Sequence, residues 1–193
     1  MRLLLIVLII VGLKKCDGTP IDIRDERFTP NYRYPFRLRI NFKTDPSFEE
    51  LGGIYSNLNE DGSLIEVVWI QDGANRFLQF HLRTSLQNKM IVSNSSKVEK
   101  DKNYEIQLSF DGKHCKWFLD DSQVGSPVDC KDGFRNLNSP KLCFTAFGGW
   151  GGWKGLVSGL TFEKFILLSE ESGEGKYFSL WILSFSFDLR LSH

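Results

Sequence analysis

The sequence has little of what marks several large classes of protein. It contains 4 Cys, 6 Pro and 3 His among 193 residues. This composition excludes a collagen, a coiled coil and a polytopic membrane protein. With no Cys-x-x-Cys spacing and so few histidines, we expect no zinc site. Lys+Arg and Asp+Glu balance at 24 each, so the chain has no net positive charge to attract the phosphate backbone of a nucleic acid. We therefore expect no nucleic-acid binding.

Long hydrophobic runs are also lacking, apart from one short run at the N-terminus. Arg2 is followed by the mostly aliphatic residues Leu3 to Leu13. This run is too short to cross a bilayer, which takes about 20 residues. It is typical of the apolar core of a secretory signal, and cleavage after Gly18 would leave small residues at the cleavage positions. We therefore predict a signal peptide over residues 1–18 and a secreted protein without a membrane span. An uncleaved N-terminal anchor is the alternative.

Secretion changes how the cysteines are interpreted. Cleavage after Gly18 leaves Cys115, Cys130 and Cys143, an odd number. We predict a Cys130–Cys143 disulfide, because both residues lie in or beside the Pro-, Asn- and Gly-rich segment 126–140. Cys115 then stays free as a small buried hydrophobe or pairs between chains. The sequon at Asn94 is a predicted glycosylation site in a secreted chain.

The middle of the chain alternates with a period of two residues. In residues 36–43, Phe36, Leu38, Ile40 and Phe42 share one face, and every intervening side chain is polar. This pattern predicts a half-buried antiparallel strand. Other strands are predicted near residues 64–70, 78–82, 90–92, 104–110, 115–119, 142–147 and 157–165. The run at 64–70 is continuously apolar and indicates a central strand.

Turn sequences separate these strands, as at Asp72-Gly73 and Asp111-Gly112. The latter predicts a hairpin in which Gly112 supplies a positive φ. No stretch of 12 residues within 28–165 has a convincing helical period, and no nucleotide-binding glycine motif occurs. The pattern therefore predicts an all-β sandwich or barrel.

The C-terminal tail, 166–193, departs from this pattern. Residues 169–176 are polar and linker-like, and residues 177–187 are aromatic and apolar without clean alternation. The tail has three interpretations: an extra strand, an adhesive extension, or a product of faulty gene prediction. Because the domain pattern ends near Phe165, we favour the last.

The order of these pieces resembles that of laminin G-like domains. The segments that resemble laminin G-like domains are FRLRINFKT at 36–44, GGIYS at 52–56, YEIQLSFDGKHCKWFLDDSQVG at 104–125 and WKGLVSGLTF at 153–162. The resemblance covers residues 28–165. It implies a concanavalin A-like jelly roll, in which two antiparallel sheets pack face to face.

Galectins share this architecture and are the nearest rival family. Their sugar site uses H-x-N-P-R, then V-x-N, then Trp and E-x-R. His81 matches the first position, but Arg83 and Ser85 stand where Asn and Arg are wanted. Val92-Ser93-Asn94 matches V-x-N, and neither the Trp nor E-x-R follows. A galectin-like galactoside-binding lectin thus remains an alternative, although most of the residues that bind sugar in galectins are missing from this sequence.

Hydrolases of this fold carry an E-x-D-x-x-E strand, because a retaining mechanism needs two carboxylates about 5–5.5 Å apart. The sequence has no such motif. Glu66 is alone in its strand, and the other candidate acids, Glu49, Glu50, Asp120 and Asp121, are interpreted with it as solvated surface. We therefore predict no catalytic residue. A degenerate glycan hydrolase and a structural extracellular domain are the alternatives.

Laminin G-like domains often hold calcium at the rim of the sandwich with oxygen ligands. Asp61, Asp72, Asp120 and Asp121 occupy turn-like positions here. One Asp in a turn usually caps its own backbone. We therefore predict no cofactor or metal ligand and leave calcium open.

The segment 148–153, GGWGGW, is the sharpest local feature. Its glycines leave Trp150 and Trp153 with little shielding, and an exposed indole can stack on a sugar or fill a partner's pocket. The alternative is an indole folded back onto the sheet. His81 and Arg83 lie on the polar face of their strand, as solvated surface or as a concave ligand face.

Trp150, Trp153, His81 and Arg83 are therefore the predicted ligand-binding residues. The sequence predicts a secreted, non-catalytic module that recognises glycans or an extracellular protein through the rim loops of a sandwich.

Overall fold

The segments with period-two alternation form strands. The computed structural model describes residues 14–23, 35–58, 63–84, 90–130, 134, 140–144, 152–169 and 178–186. The strands in these ranges are β1 (Lys14–Asp17), β2 (Ile21–Asp22), β3 (Phe36–Thr44), β4 (Gly52–Leu58), β5 (Leu64–Asp72), β6 (Asn75–Arg83), β7 (Ile91–Lys97), β8 (Asn103–Phe110), β9 (His114–Leu119), β10 (Ser122–Asp129), β11 (Lys141–Leu142), β12 (Lys154–Ser169) and β13 (Phe178–Ser186). Within the same ranges, no helix is long and apolar enough to span a membrane.

Two antiparallel sheets contain these strands. The first sheet has the order β1-β12-β3-β8-β9-β10, with β13 also paired to β12. The second sheet has the order β2-β11-β4-β5-β6-β7. The predicted all-β sandwich of two antiparallel sheets is confirmed.

β3 shows why the sequence forms this sheet. Burial alternates along all nine of its residues, with Phe36, Leu38, Ile40, Phe42 and Thr44 buried. Its neighbours, β12 and β8, pair with it in registers that keep the apolar residues on the same face. A shift of one residue would turn this whole set outward, so burial fixes the register.

The core lies between the sheets and is rich in aromatic rings. Phe80 of the second sheet contacts Trp117 of the first, with ring centroids 4.8 Å apart. At one end, Phe36 packs against Phe162 at 5.2 Å and Phe110 at 5.4 Å. Such pairs add to the burial of apolar area that drives the sheets together.

β5 is buried along most of its length and, as predicted, is a central strand. It lies between β4 and β6, and all residues from Leu64 to Ile70 are buried. Ile65, Val67 and Trp69 belong to the core between the sheets. The alternate residues, including Glu66 and Val68, are therefore buried on the opposite face of the second sheet.

The N-terminal strand β1 corrects the predicted disulfide. β1 pairs with β12, and Cys16 in β1 forms a disulfide with Cys143, which directly follows β11. The predicted Cys130–Cys143 disulfide is wrong, since Cys130 is buried and free. The disulfide joins the two sheets at one end of the sandwich, and it uses a cysteine that cleavage after Gly18 would remove.

The C-terminal strand extends the first sheet beyond the predicted domain boundary at residue 165. β12 continues to Ser169, and β13 pairs with its second half from Thr161 to Ser169. Residues Phe178–Ser186 of the tail thus form an extra strand of the first sheet, and the origin of the tail in a faulty gene prediction stays a hypothesis.

The disulfide should contribute measurably to stability, because it closes a loop with a sequence separation of 127 residues. We expect the double variant Cys16→Ala/Cys143→Ala to lose about 2–4 kcal/mol of unfolding free energy, since its unfolded chain is less constrained. Urea denaturation measures this loss. Lys15→Gln, an exposed change in the same strand, is the control and should stay within about 0.5 kcal/mol of wild type. Equal stabilities of the double variant and the control would contradict the pairing.

Candidate functional site

The second sheet has one apolar and one mixed face. Leu78, Phe80 and Leu82 of β6 point into the core. The other face, which we call the outer face, carries Glu66 of β5, Gln79, His81 and Arg83 of β6, and Asn94 of β7. The registers Glu66–His81 and Gln79–Asn94 place these side chains in adjacent rows.

A buried acid–base pair lies in the middle of the outer face. Glu66 is 0% exposed and His81 is 1% exposed. The Nδ1 atom of His81 lies 2.9 Å from Oε2 of Glu66, and its Nε2 atom lies 3.2 Å from Oε1 of Gln79. Glu66 and His81 therefore share a hydrogen bond inside the second sheet. The interpretation of Glu66 and His81 as solvated surface is wrong.

Glu66 has no carboxylate neighbour in the described rows of the outer face. Its cross-strand partners are His81 in β6 and Ser56 in β4. The residues two positions before and after it in β5 are Leu64 and Val68. A retaining glycosidase needs a second carboxyl group about 5–5.5 Å away. None of these described neighbours supplies the second carboxyl group that a retaining glycosidase needs, and Glu66 is instead hydrogen-bonded to His81.

An open cleft lies at the end of the second sheet, where the turn at Gly73 leads from β5 into β6. Its volume is about 300 Å³. We call it the rim cleft; its lining residues are Asn75, Arg76, Phe77, Asn94, Ser95 and Lys97. Phe77 and Arg76 are half-buried, whereas Asn75, Asn94 and Lys97 are exposed. The cleft thus combines one aromatic ring with two amides and two cations.

A β-bulge shapes the floor of the rim cleft. The pairing of β6 with β7 shifts between Phe77 and Gln79, which leaves the backbone N–H of Leu78 without its regular partner. This N–H donates to Oγ of Ser95 at 2.7 Å. Next to it, the N–H of Val98 donates to the carbonyl of Arg76 at 3.0 Å. These bonds hold the two strands that carry the cleft residues.

Arg76 has unused hydrogen-bonding capacity at the cleft. Its Nε atom is buried and has no hydrogen-bond partner within the described ranges. A buried donor without a partner costs about 1–3 kcal/mol. A ligand oxygen that reached Nε would remove this cost.

A second cleft, of about 230 Å³, lies on the first sheet between Lys15, Lys43 and Asp45. The Nζ atom of Lys43 is 2.6 Å from Oδ1 of Asp101. Because an acid already neutralises one of its two lysines, this cleft is a weaker candidate than the rim cleft.

Trp153 is a core residue. It is 0% exposed, and its indole N–H donates to Oγ1 of Thr44 at 3.1 Å. Its ring meets Phe42 edge-on at 5.8 Å. Gly155 makes room for this ring, because a Cβ at that position would overlap the indole. The prediction that Trp153 is an exposed ligand contact is therefore wrong, and the folded-back alternative is correct.

The other predicted site residues have different outcomes. Trp150 and Asp61 lie outside the described residues, and Arg83 is half-buried at the end of β6. Asn94 is exposed and borders the rim cleft, so its glycosylation stays a prediction. The backbone N–H of Glu105 in β8 donates to Oδ1 of Asp120 at 2.8 Å, so this carboxylate joins the turn after β9 to the neighbouring strand. No group of three acidic, His or Cys side chains within the described ranges could hold a metal ion.

Sequence reasoning missed the cleft residues, although Phe77 gave a signal. In β6 the inward positions are Leu78, Phe80 and Leu82, so the aromatic Phe77 lies at an outward position, where the alternation predicts a polar side chain. An apolar side chain at an outward position indicates either a covered face or a contact surface. The bulge that opens the cleft had no comparable signal.

Breaking the buried pair should be costly. The variant His81→Leu removes the hydrogen bond between His81 and the buried Glu66 side chain, and we expect a loss of about 1–3 kcal/mol in unfolding free energy. The double variant Glu66→Leu/His81→Leu should be more stable than the single variant, because it removes the buried carboxyl group together with its partner. Urea denaturation measures both. Val92→Ala, opposite His81 and 46% exposed, is the control. A single variant as stable as this control would refute the pair's importance.

A substitution at Gly155 tests the buried position of the Trp153 ring. We expect Gly155→Ala to lose about 1–3 kcal/mol, because its Cβ would overlap the indole and the carbonyl oxygen of Lys43. Gly159→Ala, in the same strand, is the matched control, since the nearest contacts of its Cβ would be with the Asn41 side chain, the closest at 3.0 Å. Thermal unfolding with both variants distinguishes these cases. Similar melting temperatures would contradict the described position of Trp153.

Comparison with known proteins gives the fold. No protein-family model matches the sequence, and no curated protein matches it significantly. A heptameric SAP-like pentraxin from Limulus polyphemus is similar in structure, with a TM-score of 0.57 and 13% identity over 81% of this chain and 77% of that chain. Domains LG4-5 of the mouse laminin alpha1 chain give a TM-score of 0.60 and 12% identity over 93% of this chain and 45% of that chain.

A Trypanosoma rangeli sialidase is also similar, with a TM-score of 0.52 and 14% identity over 67% of this chain and 20% of the sialidase. At such identities the likeness shows the fold alone. The expected fold is confirmed: the chain is a concanavalin A-like jelly roll with pentraxin and laminin G domains among its structural neighbours.

Proposed function

We propose that this chain is a secreted, non-catalytic module that binds a glycan in the rim cleft. The observation that carries the proposal is the side-chain set of the cleft, in which the half-buried ring of Phe77 lies among amides and cations. The cleft lies beside the turn between β5 and β6, as expected for recognition through the rim of the sandwich.

The chemistry of the cleft fits a sugar. A pyranose has an apolar C–H face that stacks on an aromatic ring, and Phe77 supplies such a ring. Its hydroxyl groups both donate and accept hydrogen bonds, which the amides of Asn75 and Asn94 can match. Arg76 and Lys97 add donors and two positive charges. The set therefore favours a hydroxyl-rich ligand that carries an acidic group.

The absence of catalysis is supported by the environment of Glu66. Its carboxylate is fully buried and bonded to His81, and its described neighbours on the outer face are not acidic. A glycosidase acid must reach the glycosidic oxygen. Glu66 therefore serves better as part of the sheet than as a catalyst.

Secretion is supported by the Cys16–Cys143 disulfide, because disulfides persist in oxidising compartments. The same disulfide revises the proposed cleavage position. Cleavage after Gly18 would remove β1 and leave Cys143 without its partner. The disulfide therefore favours the alternative, an N-terminal segment that is not cleaved after Gly18.

Two further features of the sequence bear on the site. Trp150 lies outside the described residues and remains a proposed ligand contact. A glycan on Asn94 would stand at the mouth of the rim cleft and compete with a ligand. The variant Ser96→Ala removes the sequon and keeps both Asn94 and Ser95.

A glycan array tests the proposal. We expect the Ser96→Ala chain to bind glycans, and an added Phe77→Ala change to weaken binding at least tenfold, since it removes the stacking ring. Trp150→Ala should also weaken binding and lower the melting temperature by no more than a few degrees. Parallel arrays with EDTA test for calcium.

Val92→Ala is the matched control for the array, because Val92 is exposed on the outer face and does not line the rim cleft. It should bind like the parent chain. Failure of the parent chain to bind any glycan, or equal binding by the Phe77→Ala and control chains, would exclude the rim cleft as a glycan site.

A further inference from the structure

Two cysteines outside the inter-sheet disulfide lie side by side in the core. Cys115 lies in β9, and Cys130 directly follows β10; both are 0% exposed. In the pairing of these strands, Cys115 lies opposite Val128, and the N–H of Cys130 donates to the carbonyl of Lys113 at 2.7 Å. The two cysteines are therefore diagonal neighbours on the inward face of one hairpin.

Burial, and to a lesser extent the neighbouring Cys130, raises the pKa of the Cys115 thiol well above its usual range. Within the described residues, no third ligand accompanies the two cysteines to form a metal site. The pairing of β9 with β10 makes the two buried cysteines neighbours on adjacent strands, and a disulfide needs Cα atoms within about 7 Å.

We propose that Cys115 and Cys130 form a second disulfide in the mature protein. The four cysteines then make two bridges, Cys16–Cys143 between the sheets and Cys115–Cys130 within the β9–β10 hairpin. No thiol is left over, which removes the odd cysteine that cleavage after Gly18 would produce.

The bond forms by thiol–disulfide exchange with a small-molecule disulfide such as oxidised glutathione. The Cys130 thiolate attacks one sulfur of the oxidant, and one glutathione thiolate leaves. The Cys115 thiolate then attacks the Cys130 sulfur and expels the second glutathione thiolate. The two cysteine protons end on two reduced glutathione molecules, and the two cysteines are oxidised to one disulfide.

This exchange takes place during folding. Both thiols are buried in the folded sandwich, and the raised pKa of Cys115 keeps its thiol protonated there. A thiolate must be accessible to attack a disulfide. The hairpin is local in sequence, so its two cysteines meet before the sheets close over them.

The second disulfide would secure the edge of the first sheet. β10 is the edge strand, and its register with β9 shifts between Val124 and Val128. Such an irregular edge pairs less firmly than a regular ladder. A bridge just beyond the irregularity fixes the end of β10 to its neighbour.

A disulfide map tests the inference. The full chain is reduced, unfolded, refolded with equal concentrations of reduced and oxidised glutathione, alkylated in denaturant and digested with trypsin. The four cysteines fall in separate tryptic peptides, 16–24, 114–116, 117–131 and 142–154. We expect peptide 114–116 linked to 117–131 and peptide 16–24 linked to 142–154, with no alkylated cysteine.

Any map in which Cys115 carries the alkylating group, or in which peptide 117–131 is linked to 142–154, would overturn the inference. Single variants give a second readout by thiol count. We expect no free thiol in the wild type and one in Cys130→Ala, on Cys115. Cys16→Ala is the matched control: it should also have one free thiol, on Cys143, and retain the hairpin bridge. Two free thiols in the wild type would refute the proposal without bearing on glycan binding.

Discussion

The inward side chains of two antiparallel sheets must all be buried between them, and this constraint determines the rest of the structure. It fixes the register of β3 against β12 and β8, because Phe36, Leu38, Ile40 and Phe42 have only one face available. It also brings Phe80 onto Trp117 across the interface. Once the registers are set, the turn at Gly73 and the bulge in β7 can lie only at the rim, and they open the cleft there.

The same constraint explains why the centre of the outer face is not the best candidate site. There, Glu66 and His81 are buried and satisfy each other, so neither presents a polar group to a ligand. A buried pair of this kind costs much when one partner is removed and adds little net stability when both are present. Its role is to complete the sheet, while the amides, the cations and the ring available for recognition lie at the end of β6 and β7.

The sequence predicts what depends on local pattern. The alternation in β3 predicts a half-buried antiparallel strand and the continuous run in β5 predicts a central strand, and the structure confirms both. The pairing of Cys16 with Cys143 spans 127 residues and depends on which strands meet, so proximity in sequence to Cys130 misled the prediction. Trp153 shows a similar limit: glycines near an indole suggest exposure, yet Gly155 makes room for the ring in the core. The burial of Glu66 was equally invisible, because it depends on what covers the second sheet.

The central claim is that a ligand binds at the rim of the second sheet, and amide chemical shifts during a glycan titration test it most directly. The account predicts that the shifts which change most are those of residues 75–77 and 94–97, where the ligand contacts both strands of the rim cleft. Changes centred instead on the first sheet, around the hydrogen bond from Nε of Arg39 in β3 to Oε1 of Gln107 in β8, would contradict the account.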